Sequence, residues 1–343
     1  MEKTRVAVNG YGVIGRRVAD AIALQDDMEL MGVADVVADY RIKMAESHGY
    51  AVYAATPDNI GEMREGGISV RGVLDDLLEE IEVVVDCTPK GIDTRNKARY
   101  GQAGVKSVFQ GGAKHELTGH SFVASASYES AIGRESTRVV SCNTTATVRT
   151  LTAIRNAGLL DRARGVLIRR ATDPWESHLG GIINTLVPEK EIPSHQGPDA
   201  KTVVPDLDVV TMAVKAPENV GHLHYWIVEL SRESSRDEVL DAFRRTSRIA
   251  FIRTSDGITA INSTAELMKE LGRPRGDMWE VALWEDVLTL EGREIYYAYQ
   301  VDNQAIVVPE TIDAIRALSG REHDARASIE RTNGALGIRQ RFV

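Results

Sequence analysis

Residues 4–9, TRVAVN, run without a break into Gly10-Tyr11-Gly12-Val13-Ile14-Gly15, then RRVADAIALQDD (16–27) and MELMGVAD (28–35). An apolar β-rich run, a turn with three glycines, a helical pattern and a second apolar run ending in an acid form one unit, and that context makes an otherwise weak glycine motif meaningful. Gly10 permits the tight turn, Gly12 lets backbone approach a pyrophosphate, and Gly15 lets helix and strand pack closely. Val13 and Ile14 open the helix, whose N-terminus attracts the phosphates. Asp35 ends the second run, where an acid bonds the adenosine ribose hydroxyls and repels a 2′-phosphate. The unit therefore predicts a dinucleotide site preferring NAD, with NADP less favoured; Arg41 and Lys43 lie near enough in sequence to soften that preference.

The alternation continues through EEIEVVVDCTP, VKSVFQGG and RVVSCNT, each run ending in small or polar residues, as strands of a parallel sheet do. Beyond Asn143 the pattern changes. TTATVRTLTAIRNAG predicts an amphipathic helix closed by Gly158, and the runs GVLIRRAT, DVVTMAVKA, HLHYWIVELS and REIYYAYQVDN are longer and alternating. A further helix is expected near 236–246. The expected fold is α/β: an N-terminal Rossmann doubly wound parallel sheet over residues 1–141, joined by C-terminal helices from 309–343, plus an α+β catalytic domain over 142–308 with a mostly antiparallel sheet. Residues 173–206 are too irregular for one element, and loops this long usually serve function.

At 343 residues the chain is long enough for two cores. Its 43% hydrophobic and 27% charged content marks an ordinary globular protein. A net charge of −9 without a basic stripe argues against nucleic acid as a partner and for small molecules. The opening residues enter a strand at once and no apolar run approaches about 18 residues, so a soluble cytoplasmic protein with no membrane partner is expected. Cys87 and Cys142 are too few for a disulfide framework, so each is a core residue or a reactive thiol. Cys142 ends a strand and precedes a helix, where the helix dipole and free N–H groups favour a thiolate. Cys87 is followed by Thr88 and Pro89 and reads as a buried spectator.

The blocks NGYGVIGRRVADAI (9–22), DCTPKG (86–91), FQGGAKHE (109–116), SCNTT (141–145), RRATDP (169–174), PSHQGPD (193–199), TMAVKAP (211–217), HLH (222–224) and AIVVPETIDAIRA (305–317), in that order, resemble the archaeal-type (class II) phosphorylating glyceraldehyde-3-phosphate dehydrogenases. The resemblance covers nearly the whole chain. It implies a glycolytic enzyme that oxidises glyceraldehyde 3-phosphate to 1,3-bisphosphoglycerate through a Cys142 thioester, with inorganic phosphate as the second substrate. It implies His222 as the base and Ser141 and Asn143 as holders of the substrate oxygen, and it leaves Thr144, Thr145, Arg169, His195 and Lys201, with Gln196 beside them, as donors for the phosphates. It also implies Thr88, Gly111, Gly112, Arg170 and Asn303 as cofactor contacts, and a homotetramer. His222 and His224 share a strand face, a spacing also found in metal pairs, but no clustered Cys or acid supports a metal.

Two stretches depart from the family pattern. Trp175 and Glu176 stand where positive charge is usual, and Gln196 replaces one histidine. These changes touch specificity and leave open an NAD-dependent dehydrogenase of another small aldehyde. A non-catalytic binding protein is the third reading, opposed by the presence of Cys142 and His222.

Overall fold

The computed structural model describes residues 2–110, 112–172 and 185–343. The chain divides into two compact units: Met1–Ser141 with Val308–Gly337, and Cys142–Val307 with Ile338–Val343.

The first unit contains strands β1 (Thr4–Asn9), β2 (Met28–Asp35), β3 (Val52–Ala54), β4 (Val70–Val73), β5 (Val83–Asp86), β6 (Lys106–Phe109), β7 (Ser121–Phe122) and β8 (Ser136–Val139). They form one parallel sheet in the order β4-β3-β2-β1-β5-β6-β8-β7. Val6, Ala7 and Val8 of β1 and Val83, Val84 and Val85 of β5 are completely buried, which is why these central runs are continuously apolar rather than alternating. The strand order reverses between β1 and β5, placing the Gly10–Gly15 turn at the switch point where such sheets take ligands.

The helix Val308–Ser319 returns to this unit and is buried on almost every side. Its charged residues are satisfied internally. Arg316 donates to both carboxylate oxygens of Asp27, at 2.7 and 2.9 Å, and to Gln25; Asp313 accepts from Ser328 and Thr332 on the helix Ala325–Leu336. Buried charges of this kind persist only when paired and fully hydrogen-bonded. The last residues behave differently from the expected 309–343 segment: 338–343 cluster with the second unit, where Arg341 bridges to Phe251.

The second unit contains β9 (Leu160–Arg170), β10 (Val187–Pro188), β11 (Val209–Ala216), β12 (His222–Leu230), β13 (Ile249–Ile252), β14 (Val281–Trp284), β15 (Thr289–Glu291) and β16 (Glu294–Val301). The sheet order is β10-β11-β9-β12-β16-β14-β13, with β15 on β16. Pairs β9/β11 and β13/β14 are parallel and the others antiparallel. The helix Arg236–Arg244 begins at Ser235, whose side chain accepts from the Glu238 N–H.

The helix Cys142–Asn156 corrects the amphipathic expectation, because every residue from Asn143 to Ile154 is buried. Two of its threonines return their hydroxyls to the preceding turn: Thr147 donates to the Asn143 carbonyl and Thr150 to the Ala146 carbonyl. Arg149 donates to the carbonyls of Trp279 and Ile306. This helix is the core of the second unit.

Candidate active site

In the first unit the glycine turn closes on itself. Gly10 adopts φ +92°, and a Cβ there would lie 2.8 Å from the Cys87 carbonyl. A Cβ on Gly15 would lie 1.8 Å from the Gly10 oxygen, so helix and turn meet backbone to backbone. A Cβ on Gly12 would meet nothing within 4 Å. That open side belongs to a cavity of about 590 Å³, lined by Gly10, Gly12, Val13 and Ile14, by Asp35, Arg41, Thr88 and Asn9, and by Arg95 and Arg99. The volume suits a small-molecule ligand.

Asp35 sits at the cavity edge with Oδ2 accepting from the Tyr11 N–H and Oδ1 from the Val36 N–H, both at 2.6 Å. Arg41 shares the lining but is paired with Asp39, whereas Lys43 is not part of it. Beneath the turn lies a network that the sequence reading missed. Buried Asp86 accepts from Thr88, Asn96 and Tyr100, and Tyr100 in turn accepts from Asn9 Nδ2 at 2.7 Å. The signal was Asn96 and Tyr100, four residues apart and buried on the otherwise polar helix Asp93–Gln102. Asn9 Oδ1 is buried with no partner among the described residues and borders the cavity, an acceptor left for a ligand donor. These features fit a dinucleotide. Gly112 is exposed and is not part of the lining, and Gly111 lies outside the described residues.

In the second unit Cys142 is the first residue of its helix and only partly exposed. Its Sγ is 3.4 Å from His222 Nε2. Burial pushes the thiol up to about 11, against the lowering pull of Arg170, the Asn143 N–H and Arg169. The helix start thus tempers the penalty of burial but does not yield a low-pKa thiol. Cys87 is likewise pushed well above its usual value by burial and the neighbouring Asp86 carboxylate.

His222 is held in one tautomer. Its Nδ1 accepts the Arg170 backbone N–H at 3.1 Å, and since that amide can only donate, a neutral ring carries its proton on Nε2, facing the sulfur. Burial, then His224, Arg170 and Arg169, hold its pKa well below the ordinary imidazole value. The role implied by the resemblance, a base titrating near pH 7, differs from this geometry, in which Nε2–H is a donor.

The remaining residues expected on the substrate side belong, Ser141 apart, to the second unit. Asn143 Oδ1 lies 2.8 Å from His224 Nε2. Asn303 is buried two residues beyond Val301, which pairs with His222 in the β12/β16 ladder. Thr144 spends its hydroxyl on Asp199, at 2.9 Å, and Arg169 is paired with Glu189. His195 is exposed, with Nδ1 3.9 Å from Glu189. Thr145 is completely buried, and Gln196 is buried with neither amide atom partnered among the described residues. Ser141, half-buried, is the last residue of the first unit before the nucleophile. Trp175 and Glu176 lie outside the described residues.

A doubly wound sheet with this glycine turn, together with a thiol facing an imidazole at the head of a buried helix, defines the class: a nicotinamide-dependent oxidoreductase. Comparison with known proteins narrows it. Residues 141–271 match the family described as glyceraldehyde 3-phosphate dehydrogenase, C-terminal domain. The chain is 45% identical to the glyceraldehyde-3-phosphate dehydrogenase of Methanobrevibacter smithii, over 97% of this chain and 99% of the relative. It is 44% identical to that of Methanococcoides burtonii, over 98% and 100%, and 42% identical to that of Methanothermus fervidus, over 98% and 99%. The chain belongs to the glyceraldehyde-3-phosphate dehydrogenase family, in its archaeal type.

Proposed function

We propose that the chain oxidises glyceraldehyde 3-phosphate to 1,3-bisphosphoglycerate, with inorganic phosphate and with NAD preferred over NADP. The observation that carries the reading is the 3.4 Å approach of Cys142 Sγ to His222 Nε2, in a chain whose relatives are named glyceraldehyde-3-phosphate dehydrogenases.

The ionised sulfur adds to the aldehyde carbon, forming the C–S bond and leaving the charge on oxygen. Nε2–H of His222 donates to that oxygen, a stabilisation worth a few kcal/mol for a well-placed donor. A nicotinamide ring, when bound, supplies the hydride acceptor. Collapse of the oxyanion would re-form the carbonyl as the C–H hydride passes to that ring, giving the acyl thioester; the thiol proton goes to solvent water when the sulfur ionises, before attack. A phosphate oxygen then adds to the thioester and the C–S bond breaks, returning the thiolate. The unpartnered Gln196 amide and the Thr145 hydroxyl are neutral donors suited to the phosphates. Arg169 and Thr144 serve there by exchanging their present partners Glu189 and Asp199.

Asp35 supports NAD, since a 2′-phosphate would meet its carboxylate. A homotetramer is supported by an exposed apolar face: Met212, Val166 and Tyr225 are neighbours across β11, β9 and β12, with Ile227 beside them, each 39–49% exposed. No described helix is long and apolar enough to cross a membrane, which accords with a cytoplasmic enzyme. The deciding assay follows NAD reduction with glyceraldehyde 3-phosphate. Turnover that depends on phosphate is expected; turnover indifferent to phosphate, or none, rejects the reading.

A further inference from the structure

Asn143 follows the nucleophile, is buried, and turns its side chain away from the helix toward β12. Its Oδ1 lies 2.8 Å from His224 Nε2. An amide oxygen only accepts, so Nε2 carries the proton and Nδ1 must accept. Nδ1 lies 2.9 Å from the Tyr299 hydroxyl, which itself receives Trp226 Nε1–H at 2.9 Å. His224 and Tyr299 are completely buried and Trp226 nearly so. The imidazole packs tilted on the phenol ring, centroids 4.9 Å apart. Each polar atom from Trp226 Nε1 to Asn143 Oδ1 has a partner, and the polarity runs one way from indole to carboxamide.

We infer that His224 is a positioning residue, locking the Asn143 carboxamide through Tyr299 and Trp226 so that Asn143 Nδ2 donates to the oxygen of the carbonyl under attack at Cys142. The inference rests on the thiol-acylation step of the proposed function. A terminal amide has a broad, nearly two-fold torsion and would otherwise present either oxygen or nitrogen. With Oδ1 committed to His224, the end that remains is the N–H₂ group, and it donates to no other described residue. An oxygen presented there would repel a developing oxyanion, whereas two N–H donors stabilise it at no reorganisation cost. His224 is held down to about 3, by burial and then by Arg169, so the string stays neutral through the working pH range. His222 and His224, two apart on one strand face, thereby bracket one oxygen: the first donates directly and the second through Asn143.

The test compares two reactions of Cys142 that need neither aldehyde nor cofactor. Acylation by 4-nitrophenyl acetate passes through a tetrahedral oxyanion; alkylation by iodoacetamide is a displacement with none. His224→Leu and Tyr299→Phe are expected to slow the acylation burst, His224→Leu by about tenfold or more, while alkylation stays within twofold. His224→Gln, whose amide can still donate to Oδ1, should recover part of the loss. In an Asn143→Ala background, His224→Leu should cost nothing further. Parallel losses in both reactions, an unchanged burst, or losses that multiply in the double variant would each overturn the inference. A wild-type enzyme that shows this contrast but no NAD reduction with glyceraldehyde 3-phosphate would sink the proposed function alone.

Discussion

The proposed function rests on two residues, Cys142 and Asp35, and each makes a numerical prediction. Cys142 sits at about 11 in the free protein because desolvation outweighs Arg170, the Asn143 amide and Arg169. The thiolate is the reactive form, so with a raised pKa its fraction falls tenfold for each pH unit below the midpoint. Iodoacetamide labelling of Cys142 should therefore rise about tenfold per unit between pH 7 and about 10, with no plateau near 6.5. A plateau there would mean a thiolate–imidazolium pair and would return His222 to the role of base. The proposed NAD preference rests on Asp35. A carboxylate about 4 Å from a phosphate charge costs on the order of 4 kcal/mol at an effective dielectric near 20, but Arg41, Arg95 and Arg99 share the cavity and offset part of it. The ratio of kcat/KM for NAD over NADP should be at least about tenfold, and Asp35→Lys should shrink or invert it. Equal values for both cofactors, unmoved by Asp35→Ala, would remove Asp35 from the discrimination.

At the scale of elements, the Gly10–Gly15 turn separates two uses of glycine. A Cβ on Gly15 collides with the Gly10 carbonyl at 1.8 Å, whereas one on Gly12 enters open cavity. Gly15→Ala should lower stability by about 1–3 kcal/mol, as forced overpacking does, and weaken cofactor binding with it. Gly12→Ala should leave the melting temperature of the ligand-free protein nearly unchanged while raising the cofactor Kd at least about tenfold. Thermal melts with and without cofactor distinguish the two, and equal behaviour of both variants would contradict the assignment. The motif was legible because strand, turn and helix are contiguous and each glycine answers to a local constraint. The helix Cys142–Asn156 was legible in extent but not in environment. Its five threonines and Arg149 read as a polar face, yet Thr147 and Thr150 donate to carbonyls of the preceding turn, Thr144 to the Asp199 carboxylate, and Arg149 to carbonyls more than a hundred residues away.

At the scale of the molecule, the second sheet has two unlike faces. Along β12, His222, His224, Trp226 and Val228 are buried, while Tyr225 and Ile227 are exposed beside Val166 and Met212. In the proposed homotetramer a second copy would cover that face, since apolar patches of this kind mark association surfaces. Light scattering at micromolar concentration should give four times the mass of the chain, and Tyr225→Asp with Ile227→Asp should reduce it. A wild-type monomer of full activity would refute the assembly.

The sequence by itself determined what contiguous residues control: the dinucleotide unit, the helix that begins at Cys142, the change from parallel to mostly antiparallel strands, and membership of the family through ordered blocks. Tertiary structure alone decided the state of the groups those blocks contain. Whether Cys142 is acidic depends on how deeply it is buried, which no local pattern records. Whether His222 accepts or donates depends on the Arg170 amide, brought to it by the β9/β12 pairing. Whether Asn143 presents oxygen or nitrogen depends on Tyr299, more than 150 residues away in the chain. Residue types and spacings are properties of the chain; desolvation, tautomer and amide orientation are properties of neighbours, and neighbours exist only once the sheet has formed.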